Sequence, residues 1–129
     1  MGGAVLPTGH HYMADLQGCR PELPFMTEPQ ALRELCLQAV CAAGLTPVGE
    51  LFHAFAAPGG VTGMVLLAES HLAVHTWPER GVVTLDVFVC NLVRDNAAAA
   101  RALLDDLVSA FQPLQQHLQH CLRPVLMTG

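Results

Sequence analysis

The stretch AESHLAVHTWPERG, residues 68–81, sets a glutamate and a histidine on either side of one serine, Ser70, and places a second histidine, His75, five positions on. A serine hydroxyl is a weak nucleophile alone, and an imidazole titrating near neutrality is well suited to move protons beside it. Along an extended strand, at about 3.3 Å per residue, His75 stands roughly 16 Å from the Ser70 of its own chain. Either the strand is broken, or the His75 that serves one Ser70 belongs to a second copy across a two-fold axis. A homodimer with shared sites is therefore expected.

The segment PERG, residues 78–81, reads as the turn of a hairpin. Trp77 then lies opposite Val82, His75 opposite Thr84 and Cys90 opposite Glu69. That register sets the Cys90 thiol beside the peptide bond joining Glu69 to Ser70. One face of the first strand carries His71, Ala73, His75 and Trp77, and the second strand adds Thr84, Asp86, Phe88 and Cys90 to the same face. Taken singly, most candidates have plainer readings. Phe55 and Trp77 fit a core as well as a site, Asp15 and Asp86 can simply anchor hydrogen bonds, and His10, His11 and His53 read as surface or core-edge residues. Cys36 falls on a helix stripe, and Cys41 has no partner motif.

The elements that must position these groups follow from periodicity. Residues 10–19 read as a short strand entering a turn, and residues 20–29 as a loop. Pro29 suits a helix start, after which Leu32, Leu35, Cys36, Ala39, Val40 and Ala43 keep helical spacing up to Gly44. Strands are expected near 47–56, 62–68, 71–77 and 82–90. A second helix over Asp95–Phe111 repeats the stripe at Ala100, Leu103, Leu104, Leu107, Val108 and Phe111. The pattern predicts an α+β fold, a two-layer α/β sandwich in which an antiparallel sheet of four or five strands carries both helices on one face. The tail, QQHLQHCLRPVLMTG, is the place for an added edge strand.

Composition narrows the chemistry. The 129 residues, 52% hydrophobic and 13% charged, suit one domain spanning 1–129 with much buried surface. A net charge of -5 offers no footprint for nucleic acid. No membrane segment or secretory signal is expected. Five cysteines without CxxC pairs fit free thiols in a reducing cytoplasm. All six basic residues are arginine, so no lysine is present to form a Schiff base, and pyridoxal phosphate chemistry is excluded for this chain alone. Two rivals are weak. His71 and His75, about 13 Å apart on a strand, cannot share one zinc ion. A second set, His117, His120 and Cys121, lies in the tail, and no metal is expected. A serine hydrolase would set Ser70 in a glycine-flanked elbow, which is missing.

The run GVTGMVLLAESHLAVHTWPERGVVTLDVFVC, residues 60–90, closely resembles the core of the bacterial S-adenosylmethionine decarboxylase proenzymes. GHHYMADLQGC, FHAF and the helices extend the resemblance more weakly. It implies that Ser70 attacks the carbonyl of Glu69, that the ester formed is eliminated, and that the chain splits between Glu69 and Ser70. A covalent pyruvoyl cofactor is left where Ser70 stood, and it takes the substrate amine as a Schiff base and accepts the electrons released with carbon dioxide. By the same resemblance His75 of the neighbouring subunit removes the α-proton during processing, Thr62 supports the ester, and Cys90 protonates the carbanion left by decarboxylation. Phe55 would stack on adenine and Glu79 would accept hydrogen bonds from the ribose. Trp77 and Asp15 join them as substrate-binding residues. The implied activity is a cytoplasmic carboxy-lyase that decarboxylates S-adenosylmethionine for spermidine biosynthesis. Leu16 and Gln17 follow Asp15 where many members carry aromatic residues, and relatives on this scaffold act on ornithine or arginine. Those substrates are the alternative, together with an unprocessed paralogue without catalysis.

Overall fold

Proline has no N–H to satisfy in the first turn of a helix, and helix α1 begins at Pro29 and ends at Ala42, just before Gly44. A computed structural model describes residues 8–91 and 95–124. The order of elements is β1 (Thr8–Gln17), a 3-10 turn at Pro24–Met26, α1, β2 (Pro47–Ala54), β3 (Val61–Leu67), β4 (Ser70–Trp77), β5 (Val82–Cys90), α2 (Ala97–Phe111) and β6 (Gln115–Pro124). Within the helical stripes, Leu32, Cys36, Ala39 and Val40 of α1 are buried, as are all six stripe residues of α2. Both helices cover one face of the sheet: α1 packs on β2 and β3, and α2 packs on β1 and β5.

Alternation in the central strands divides the sheet into a dry face and an open face. On β5, Val83, Leu85, Val87 and Val89 point into the helices, whereas Thr84, Asp86, Phe88 and Cys90 are half-buried on the other side. Leu72 and Val74 of β4, Val61, Val65 and Leu67 of β3, and Tyr12, Ala14 and Leu16 of β1 complete the core. No helix among the described residues is long and apolar enough to cross a membrane.

The sheet has six antiparallel strands in the order β2-β3-β4-β5-β1-β6, rather than the four or five expected. The added strand is β6, whose ten residues are all exposed. Having no buried face, it shows no alternation of apolar and polar residues, and its place comes from an unbroken backbone ladder with β1, Thr8 opposite Pro124 through Gln17 opposite Gln115. The last part of the expected tail strand, residues 125–129, lies outside the described residues.

One buried polar side chain ties the layers together. The Thr76 hydroxyl donates to the Met26 carbonyl at 2.8 Å and accepts from the Val61 amide at 2.8 Å. Gly60 passes so close that any side chain there would overlap the Thr76 carbonyl. Replacing Thr76 by valine keeps the shape but leaves a buried donor and a buried acceptor unmatched. It should lower unfolding stability by about 1–3 kcal/mol in urea titrations.

Candidate active site

Strand pairing places chemistry-bearing side chains of the open face in straight rows across the sheet. The registers Thr62–His53, Thr62–His75, His75–Thr84, Thr84–Asp15 and Asp15–His117 form one row through all six strands. At its centre, Thr62 Oγ1 and His75 Nδ1 are hydrogen-bonded at 3.0 Å, which orients the ring and leaves Nε2 for other work. His75 also lies beside Trp77, ring centroids 5.8 Å apart. These residues open onto a cleft of about 290 Å³ lined by Phe55, Thr62, His75, Trp77 and Glu79, with Gly59, Gly60 and Thr76 completing its wall. The Phe55 ring meets His53 edge-on at 4.8 Å. Five of the residues singled out from sequence thus share one cleft. Asp15, two strands from His75 in the same row, is exposed and outside it.

Ser70, Glu69 and Cys90 gather at the opposite end of β4. Leu67 pairs with Ser70 across a two-residue turn formed by Ala68 and Glu69. Glu69 has φ 57°, a left-handed conformation that costs a non-glycine residue on the order of 1–3 kcal/mol. The peptide bond following this strained residue is the one that precedes Ser70. Because β4 is continuous from Ser70 to Trp77, the broken-strand option falls away and His75 stays far from its own Ser70.

The expected hairpin register holds at Trp77–Val82 and His75–Thr84, but the ladder stops at His71–Phe88. Glu69 has by then turned out of the strand, and Cys90 pairs instead with Gly9 of β1. Glu69 and Cys90 nevertheless remain electrostatic neighbours. Burial pushes the Cys90 thiol above its ordinary value, the Glu69 carboxylate adds to the rise, and Arg123 opposes it. The thiol therefore stays protonated at neutral pH, as a proton donor must.

On the open face, at the same end of β4 as Ser70, lies a cluster that the sequence leaves unassigned. His11 Nε2 and Asp86 Oδ1 are 3.1 Å apart, His71 packs against Phe88 at 5.8 Å, and the Arg123 guanidinium lies 5.1 Å over the same ring. Burial lowers the His71 imidazole below its usual range; His11 and Arg123 lower it further while Asp86 opposes them. Alternation does place His71, Asp86 and Phe88 on the Cys90 face, whereas His11 and Arg123 join only because β1 inserts between β5 and β6. Among the described residues no three His, Cys, Asp or Glu side chains converge as a metal site. On β6, His120 points to the face opposite that of His117 and Cys121 and stacks on Tyr12 at 4.2 Å.

The family model for S-adenosylmethionine decarboxylase matches residues 10–124. The chain is 38% identical over 97 residues to an S-adenosylmethionine decarboxylase proenzyme of Pyrococcus furiosus, covering 75% of this chain and 68% of that one. A protein with the same name from a Hydrogenobaculum species is 40% identical over 105 residues, 81% of this chain and 73% of its own. The crystal structure of the adenosylmethionine decarboxylase from Aquifex aeolicus VF5 superposes with a TM-score of 0.82 at 31% identity, covering 97% of this chain and 98% of that one.

Proposed function

Because the chain belongs to the S-adenosylmethionine decarboxylase family, we propose that it cuts its own backbone between Glu69 and Ser70 and then decarboxylates S-adenosylmethionine. It is a carboxy-lyase made as a proenzyme, its cofactor is a pyruvoyl group, and its product serves spermidine synthesis. The observation that carries the processing step is the strained Glu69, φ 57°, immediately before a serine at a hairpin turn. A ketone at position 70 fits its surroundings: the residue is half-buried at the start of β4, next to Glu69, whose carboxylate is an electrostatic neighbour of the protonated Cys90 thiol, in a chain with no lysine to hold pyridoxal phosphate. When present, that group supplies the electron sink for loss of carbon dioxide.

The chain's own residues have separable tasks. Ser70 Oγ adds to the Glu69 carbonyl carbon, and the amide becomes an ester with a free amine at residue 70. Removal of the Ser70 α-proton expels the Glu69 carboxylate from the β-carbon. Water then releases ammonia, so chain plus water gives two chains plus ammonia. His75, its Nδ1 held by Thr62, is the base for the α-proton, and the Thr62 hydroxyl steadies the ester. Cys90 delivers a proton to the substrate carbon once carbon dioxide has left. In the cleft, Phe55 and Trp77 offer rings to adenine and Glu79 offers a carboxylate to the ribose hydroxyls. Asp15 stands about 10 Å from His75, within reach of a ligand extending along that row.

Two copies complete each site. His75 and Thr62 stand roughly 16 Å from their own Ser70. The open face also exposes Leu51 (76%), Met64 (42%) and Leu66 (47%), an apolar patch beside the cleft without a covering layer in the single chain. A face-to-face homodimer about a two-fold axis covers this patch and carries His75 of one protomer to Ser70 of its partner. Free thiols at Cys19, Cys36, Cys41, Cys90 and Cys121 fit a cytoplasmic setting.

Release of carbon dioxide from carboxyl-labelled S-adenosylmethionine, ornithine and arginine tests the assignment. Turnover of the first alone is expected, and turnover of either other substrate in its place overturns it. Cys90→Ala should still yield both fragments while turnover falls about 10²–10⁴-fold, the usual contribution of a positioned proton donor, measured by gel and by carbon dioxide release.

A further inference from the structure

Arg123 is the one cation among the described residues that the Ser70 end of the open face receives, and neither motif nor cleft accounts for it. It sits on β6 in the row Cys90–Gly9–Arg123, two strand spacings or about 10 Å from Cys90 along the sheet. Arg123 is exposed on this edge strand, yet its guanidinium does not simply point away from the sheet. It lies 5.1 Å over the Phe88 ring, turned back across β1 toward β5. Gly9 makes this possible, because a Cβ there would come within 2.7 Å of Phe88 Cε1, and the ring fills that space instead. The charge is felt at both Cys90 and His71.

The ion pairs among the described residues are His11–Asp86, Arg33–Glu50 and Arg101–Asp105, so no carboxylate among the described residues pairs with Arg123. A guanidinium with its face on an aromatic ring keeps its N–H edge free, and that edge matches a carboxylate with two parallel hydrogen bonds. We infer that Arg123 anchors the α-carboxylate of the amino acid substrate. The inference rests on the proposed reacting centre: the substrate amine must reach residue 70, its α-carbon must reach the Cys90 thiol, and the carboxylate lies one bond from that carbon. It also gives a reason for product release. Loss of carbon dioxide removes the only anionic group of the substrate, and Arg123 then has nothing to hold. Arg123 is a binding residue, expected to act on KM more than on kcat, since the charge it pairs with leaves during the reaction.

Calorimetric titration of full-length Ser70→Ala, which cannot be cut, separates this role from processing and from turnover. S-adenosylmethionine and its decarboxylated product are the two probes, before and after adding Arg123→Gln. The second substitution should weaken S-adenosylmethionine binding about tenfold or more and leave product binding unchanged, with Arg123→Lys recovering part of the loss. Equal weakening of both probes, or of neither, overturns the anchor. If S-adenosylmethionine does not bind this uncut chain, which lacks the ketone, the comparison moves to processed Arg123→Gln enzyme: KM for S-adenosylmethionine should rise about tenfold with product inhibition unchanged, and an unchanged KM overturns the anchor. Where carbon dioxide release shows ornithine or arginine to be the substrate, the anchor is judged by the same criterion on ornithine against putrescine or arginine against agmatine, because each pair differs by the same carboxylate.

Discussion

Replacing Ser70 by alanine leaves a single intact chain and removes decarboxylation altogether. Alanine has no oxygen to add to the Glu69 carbonyl, so the ester cannot form and the strained turn stays closed. The second loss follows from the first. No side chain carries a ketone or aldehyde to condense with the substrate amine, and with no lysine anywhere in the sequence none can hold pyridoxal phosphate in its place. The expected drop in turnover is at least about 10⁶-fold, the lower end of what enzymes contribute over water. The fold should be untouched, since Ser70 is only half-buried at the start of β4. A single cooperative unfolding transition and a circular dichroism spectrum like that of the parent protein would show this. Residual turnover within about a hundredfold of the parent would mean that the chemistry resides elsewhere.

His75→Ala should slow cleavage by about 10²–10⁴-fold, the span expected for a lost general base. The informative result comes from mixing. When His75→Ala and Ser70→Ala chains are produced together, one site of each mixed dimer holds an intact Ser70 from the first chain and an intact His75 from the second. Cleavage of the His75→Ala chain should then return at near the parent rate, read by the appearance of its fragments. Without the partner it should stay slow. Absence of rescue would place His75 and Ser70 in the same protomer, contrary to an uninterrupted β4 that separates them. Cleavage of His75→Ala alone at the parent rate would remove His75 from the mechanism.

The hairpin at the heart of the site is legible because its two strands alternate cleanly and PERG sets their register. Trp77 opposite Val82 and His75 opposite Thr84 follow from counting alone. Both helical stripes are legible for the same reason, since each repeats one apolar face that has to be buried. Two features are not. The extent and pairing of β6 are one: the tail is the expected place for an added edge strand, but β6 buries nothing and carries no periodic mark, so only the ladder with β1 fixes it as the sixth. The insertion of β1 between β5 and β6 is a tertiary choice without a local signal. Through it His11 meets Asp86, and Arg123 reaches Phe88. The turn at Glu69 illustrates a finer limit. Extending the hairpin register predicts Cys90 across from Glu69, yet the left-handed backbone at Glu69 ends the ladder first, leaving the two residues as electrostatic neighbours without pairing.

Self-cleavage at the serine is the claim on which the rest depends, and the intact mass of freshly purified protein tests it most directly. Two chains are expected, residues 1–69 ending in a free carboxylate and residues 70–129 lighter by one ammonia than the same segment with an amino-terminal serine. A single uncut mass from folded material, or a second fragment that keeps its serine amine, would contradict it.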